Sequence, residues 1–237
     1  MAESNRMPDE RPLAHLARRK LGEETTRYLR DALLSGRYAA GERMAVQHLA
    51  EILGVSTMPV REALLTLANE GLLEVVPRRG FRVTALKLRD VEDAFRVHAL
   101  VAGLLVEEAA PIISPAAIAE LNEVQEKIHD TFRRGLVPHE LANQVEELNF
   151  RFHRIINHVP DAKRLRWFLR AATRYVPRGF YETVPGWNEA TRDRHGAIIA
   201  ALEERDAVRS RKLMEEHVTE AGELVRRHLA ARGLLQK

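Results

Sequence analysis

Residues 41–83 read GERMAVQHLAEILGVSTMPVREALLTLANEGLLEVVPRRGFRV and decide the fold of the first part of the chain. A short helix is predicted over 46–53, and Gly54 stops it because glycine readily adopts the left-handed conformation that ends helices. Ser56 is a natural N-cap for a further helix, which is predicted to run to about Glu70.

The segments on either side complete a winged helix-turn-helix. Apolar residues recur at helical spacing over about 20–35 and predict a first helix. Strands are predicted at 72–76 and 81–86, where a turn over 77–80 joins them into a hairpin. Three short helices followed by a basic-tipped hairpin therefore predict a winged-helix DNA-binding domain over 20–86.

The third helix and the hairpin tip carry the candidate DNA contacts. The polar face of the helix near its N-terminus holds Thr57, Met58 and Arg61. A helix N-terminus offers free N–H groups to phosphates, and an arginine can donate two hydrogen bonds to one guanine. Arg78 and Arg79 are placed to reach phosphates or a minor groove, and Gly80 allows the tight reversal. A small folding module with solvated arginines would show the same helix pattern.

This part of the chain resembles the GntR family of regulators. The matching run comprises 41–44, 49–56, 59–64, 67, 70–72 and 79–80. The resemblance implies that Gln47, Ser56, Thr57, Met58 and Arg61 touch operator DNA and that Arg79 and Gly80 form the wing tip. Thr57 and Met58 stand where the family commonly carries Arg and Thr, so the operator sequence does not simply follow from the family.

Composition bounds the class of protein further. The chain has 237 residues and no cysteine, which excludes disulfides. It shows no signal peptide and no run long enough to span a bilayer, so we expect a soluble cytoplasmic protein. Residues 1–88 hold 14 basic and 11 acidic residues, which places the whole net charge of +3 where DNA would bind. Residues 1–19 are predicted to be a flexible basic tail.

Residues 88–235 follow helical periodicity and predict an all-helical domain. Three histidines lie on inward stripes of three different helices: His153, His195 and His217. Asn149 shares the face of His153 because it precedes it by four residues. Neutral imidazoles with an oxygen donor suit a divalent transition ion such as Zn²⁺ or Ni²⁺. Taken singly, each histidine is also explained as a core residue hydrogen-bonded to a neighbour.

The helical region is similar to the FCD-type sensor domain of the FadR subfamily within the GntR family. In metal-binding members an Asp and three His occupy the positions of Asn149, His153, His195 and His217, so Asn149 removes the one anionic ligand. The first sensor helix of that subfamily tends to carry Arg where this chain has His98. This histidine either contacts an effector in the pocket or packs in the core.

These observations predict a mainly α protein, with a winged helix followed by a helical-bundle ligand-binding domain. We expect a homodimeric transcriptional regulator, of the repressor type, that binds a pseudo-palindromic duplex. Its effector is predicted to be an organic acid bound near the metal. A metal-free regulator that senses an apolar or acyl ligand is one alternative. A DNA-tethered metallohydrolase is another, although we expect no enzyme because no carboxylate was identified on the inward stripes.

Overall fold

The computed structural model describes residues 11–85, 87–134, 138–173 and 184–231. The chain divides into two compact units, residues 1–85 and 86–237. A small sheet lies in the first unit, and the described part of the second unit is built from helices. The predicted fold class, mainly α with a winged helix followed by an all-helical unit, is confirmed.

Three helices form most of the first unit: α1 (Arg11–Leu34), α2 (Val46–Leu53) and α3 (Thr57–Asn69). The bounds of α2 are those predicted, and Gly54 follows it in the left-handed conformation with a φ of 64°. Ser56 occupies the N-cap position of α3 with extended backbone angles, although its side chain makes no capping hydrogen bond.

The first helix begins at Arg11, well before the Lys20 that the sequence predicts as its start. The prediction of a flexible tail is therefore wrong for residues 11–19, and residues 1–10 lie outside the described part of the chain. Pro12 lies in the first turn of this helix, where the missing N–H would have had no helical partner.

The sheet of the first unit has three strands in the order β1-β3-β2. These strands are β1 (Arg43–Met44), β2 (Leu73–Val76) and β3 (Gly80–Val83), and β3 pairs antiparallel with both neighbours. Strand β3 ends at Val83, earlier than predicted, and residue 86 lies outside the described residues. The sequence did not predict β1 because a strand of two residues shows no alternation.

Apolar burial and one ion pair hold the helices of the first unit together. Leu29 of α1 and Leu64 of α3 are fully buried, and α1 packs along α3. Arg30 donates two hydrogen bonds of 2.9 Å to the carboxylate of Glu70, just after α3. Both side chains are largely buried, so this bidentate pair fixes the end of α3 against α1.

Six helices make up the described part of the second unit: α4 (Leu88–Ala109), α5 (Pro115–Arg133), α6 (Pro138–His158), α7 (Lys163–Ala172), α8 (Trp187–Glu203) and α9 (Ala207–Ala231). Their shared core includes Phe152 of α6, Ile198 of α8 and Met214 of α9, all fully buried. None of the helices within the described ranges is long and apolar enough to cross a membrane.

Helices α4 and α9 approach closely at a glycine beside an aromatic ring. A Cβ added to Gly222 of α9 would lie 2.7 Å from Cγ of Phe95 in α4. The Phe95 side chain is 6% exposed and has little room to move. The absent side chain at Gly222 therefore sets the distance between these two helices.

We expect Gly222→Ala to lower the free energy of unfolding of the second unit by about 1–3 kcal/mol, the usual cost of overpacking a core. Thermal denaturation measures this effect. Gly196→Ala in α8 is the matched control, because a Cβ there meets nothing within 4 Å and alanine favours the helix. Equal melting temperatures for both variants would contradict the close packing of α4 on α9.

Candidate functional site

The residues predicted to touch DNA lie on one exposed surface of the first unit. The N-terminal turn of α3 presents Thr57, Met58 and Arg61 to solvent, and Ser56 precedes them, also exposed. Met58 is 54% exposed there. Gln47 in the first turn of α2 is exposed as well.

The hairpin tip places a second set of basic side chains on the surface. Arg78, Arg79 and Gly80 are all exposed, and Arg78 adopts a positive φ of 61° that is uncommon for arginine. The strand register also sets Arg43 opposite Arg82, and two like charges in register disfavour pairing. Arg43 was not among the residues predicted to touch DNA, because strand β1 was not predicted.

In the second unit, three helices bring three histidines together: His153 of α6, His195 of α8 and His217 of α9. One nitrogen from each ring lies within 4.8 Å of the others. The closest pair is Nε2 of His153 and Nε2 of His217, 3.2 Å apart. Two imidazole nitrogens on one tetrahedral ion lie about 3.3 Å apart, so this pair already has ligand spacing.

Phe152 fixes the orientation of the deepest histidine. The ring of His195 stacks on Phe152 with centroids 3.7 Å apart and an interplanar angle of 2°. His195 is 0% exposed, and both of its ring nitrogens are buried without a hydrogen-bond partner among the described residues. An unsatisfied buried nitrogen is costly, and a metal ion would accept its lone pair.

Burial keeps these imidazoles neutral. It lowers the pKa of His153 to about 4, and it lowers the pKa values of His195 and His217 well below the usual 6.5. The pKa of His98 is lowered to about 3, mainly by burial and secondarily by the electrostatic interaction with the neighbouring His153. Neutral imidazoles have free lone pairs, so the donor set fits a divalent transition ion.

A pocket of about 420 Å³ opens beside this cluster between α4, α6, α7 and α9. His98, Asn149, His153 and His217 all line it. The Oδ1 atom of Asn149 is buried and has no hydrogen-bond partner among the described residues. The pocket thus holds both the amide predicted as an oxygen ligand and the histidine predicted to touch an effector.

The expectation that the inward face of α6 carries no carboxylate does not hold for Glu146, although no described carboxylate joins the group of histidine nitrogens. Glu146 is 5% exposed and lies two helical turns before His153 on the same face of α6. Glu147 lines the pocket itself. The sequence pattern missed both because Glu-Glu in an otherwise polar stretch of α6 resembles a solvated face.

Polar residues that the sequence did not single out also line the pocket, among them Arg154 and Asn157 of α6 and Arg170 of α7. The spacing of Asn149, His153 and Asn157 by four residues was a usable signal for Asn157, because residues so spaced share one helix face. Arg170 offered no such signal, since only the tertiary packing of α7 on α4 brings it to the pocket.

A winged helix together with a helical unit that holds a histidine-lined pocket is the architecture of a two-domain regulator. The profile of bacterial regulatory proteins of the gntR family matches residues 21–83, and the FCD domain profile matches residues 93–220. The chain belongs to the GntR family and carries an FCD domain.

Individual relatives agree with this assignment. The chain is 30% identical to the HTH-type transcriptional regulator BphR of Paraburkholderia xenovorans over 91% of this chain and 88% of BphR. It is 24% identical to the transcriptional repressor RspR of Escherichia coli over 87% of this chain and 89% of RspR. The structure of E. coli McbR/YncC superposes on this chain with a TM-score of 0.65 at 25% identity. The superposition covers 86% of this chain and 96% of McbR/YncC. Two further curated relatives match over only about half of their length, 55% and 48%.

We expect the metal-free second unit to lose stability between pH 7 and pH 5. The unfolded chain protonates a histidine near pH 6.5, whereas folded His153 resists protonation down to about pH 4. The unfolded state therefore binds more protons in this window, and each such histidine removes up to about 1.4 kcal/mol per pH unit. Tryptophan fluorescence in denaturant reports this unit alone, because Trp167 and Trp187 both lie in it.

The matched variants for that experiment are His153→Gln and His48→Gln. His153→Gln should reduce the pH dependence by about one proton, because it removes one buried group. His48 is exposed in α2, so its replacement should leave the pH dependence unchanged. If His153→Gln retains the full pH dependence, the buried histidines are not neutral as described.

Proposed function

We propose that this protein is a DNA-binding transcriptional regulator of the FadR subfamily. The observation that carries the proposal is the exposed N-terminal turn of α3, with Arg61 and Met58 on one surface of a GntR-type winged helix. The free N–H groups of that turn and the helix dipole attract phosphates, and Arg61 is suited to read a guanine. Arg78 and Arg79 at the wing tip supply further contacts to the duplex.

The operator is a pseudo-palindrome and the protein acts as a homodimer. A single winged helix rarely supplies operator-level affinity, whereas two recognition helices related by symmetry read two half-sites. The relative RspR is described as a repressor, which favours repression here. Such a regulator works where the chromosome lies, in the cytoplasm.

The second unit senses a small organic acid beside a divalent metal ion, Zn²⁺ or Ni²⁺. His153, His195 and His217 would hold the ion, and Asn149 would contribute an oxygen. Bound there, the ion would supply positive charge to attract a carboxylate. His98 lines the same pocket and would contact the effector. If the effector binds the DNA-free and DNA-bound forms of the protein with different affinity, its binding changes the affinity for the operator.

A metal-free regulator is the second candidate, because the pocket also has apolar walls. Phe95, Leu169, Trp187 and Val218 line it, and an acyl chain would fit against them. Chelation separates the two candidates. If effector binding survives complete removal of the metal, the metal-free reading replaces the first one.

We expect Arg61→Ala to weaken binding to the selected operator by about 1–3 kcal/mol per half-site. The operator is first selected from a random duplex library with the full chain, and affinities are then measured by fluorescence anisotropy. Binding to random DNA should change much less, because phosphate contacts dominate there.

Arg37→Ala is the matched control, because Arg37 hydrogen-bonds Tyr28 in α1 and lies outside the predicted DNA surface. It should leave operator affinity nearly unchanged. Failure of the library to yield any preferred sequence would contradict the proposed function. Equal losses on operator and random DNA would show that Arg61 contacts only phosphate.

A further inference from the structure

One wall of the pocket carries two arginines that have no ion-pair partner among the described residues. Arg154 of α6 and Arg170 of α7 both line the pocket and are exposed at it. Neither side chain forms an ion pair or hydrogen bond with any described residue. A guanidinium group without such a partner is available to bind an anion.

The remaining arginines of the wall are already engaged. Arg151 donates to Glu120 at 2.8 Å, and Arg166 donates to the backbone oxygen of Pro160 at 2.6 Å. Against these four arginines, the described lining contains one acidic residue, Glu147. The described lining of the pocket therefore carries more basic than acidic side chains.

A buried amide in the same wall indicates that a polar ligand enters. Asn157 is 8% exposed and lines the pocket, and its Oδ1 atom is buried without a partner among the described residues. It lies three residues after Arg154 on α6, so the two residues are neighbours on the helix surface. Buried amide oxygens are normally satisfied, so a ligand donor or a bound water is expected here.

Helix α6 therefore presents two adjacent rows to the pocket. Asn149, His153 and Asn157 form a neutral row, and Glu147, Arg151 and Arg154 form a charged row beside it. A ligand whose one anionic group lay at the histidine end would leave Arg154 without a counter-ion. A second anionic group at the other end would provide one.

We propose that the effector is a small dianion: one carboxylate lies at the histidine end of the pocket, and its second anionic group lies between Arg154 and Arg170. This inference rests on the proposed function, because it specifies the effector of the same sensor pocket. The second group is a carboxylate or a phosphate, which guanidinium groups bind with the same paired, charge-assisted hydrogen bonds.

The test compares acids that differ only in the second charge. Succinate, glutarate and adipate are titrated into the metal-loaded full-length protein by calorimetry, each against the monocarboxylate of equal carbon number: butyrate, pentanoate and hexanoate. 3-Phosphonopropionate tests the phosphate-type group. At least one dianion should bind about tenfold more tightly than its matched monocarboxylate, the gain from one charge-assisted contact.

Matched variants assign that preference to the arginines. Arg154→Gln and Arg170→Gln should each reduce it, and the double variant should bring the ratio close to one. Arg164→Gln is the control, because Arg164 is exposed on α7 but does not line the pocket. It should keep the full preference. Metal content, measured in parallel, should be the same in all four proteins because neither arginine is a ligand.

Two outcomes overturn the inference: no dianion binds better than its matched monocarboxylate, or the double variant retains the full preference. In either case specific operator binding by the same preparation would show that the proposed function still stands. Loss of specific operator binding in the native protein would instead remove the proposed function, and the anion titrations would not rescue it.

Discussion

The buried imidazole of His195 is the constraint on which the second unit depends. Its ring is stacked on Phe152 and fully enclosed, and neither nitrogen has a hydrogen-bond partner among the described residues. Leaving such a group without a hydrogen bond costs about 1–3 kcal/mol of folding stability. This cost is a large fraction of the net stability of an ordinary fold, so we expect the buried imidazole to serve a function. His153 and His217 lie beside it on two other helices, so one shared metal ion would satisfy all three rings at once.

The same arrangement explains the chemistry of the pocket. All of the candidate metal ligands are neutral, because burial holds the histidines unprotonated and the side-chain amide of Asn149 is uncharged. An ion held in this way keeps its full charge for a ligand from solution. Arg154 and Arg170 line the same pocket and would extend that positive potential. We therefore expect anions to be attracted at both ends of the pocket.

Short-range patterns predicted much of this molecule, and tertiary contacts account for what they missed. Gly54 and the apolar period between 46 and 53 were enough to place α2, and helical spacing alone put three histidines on inward faces. Strand β1 was missed because its pairing with β3 is a long-range contact. Arg170 was missed because only the packing of α7 on α4 makes it part of the pocket.

We propose that three histidines and Asn149 bind one metal ion, and X-ray absorption spectroscopy of the zinc-loaded protein tests this proposal most directly. We expect one tightly bound ion with imidazole nitrogens at about 2.0–2.1 Å, and loss of most of the metal in His195→Ala. Asn149→Asp should raise zinc affinity about tenfold, because a carboxylate attracts a cation better than an amide. A spectrum without imidazole ligands, or a His195→Ala variant with unchanged zinc content, would contradict the claim.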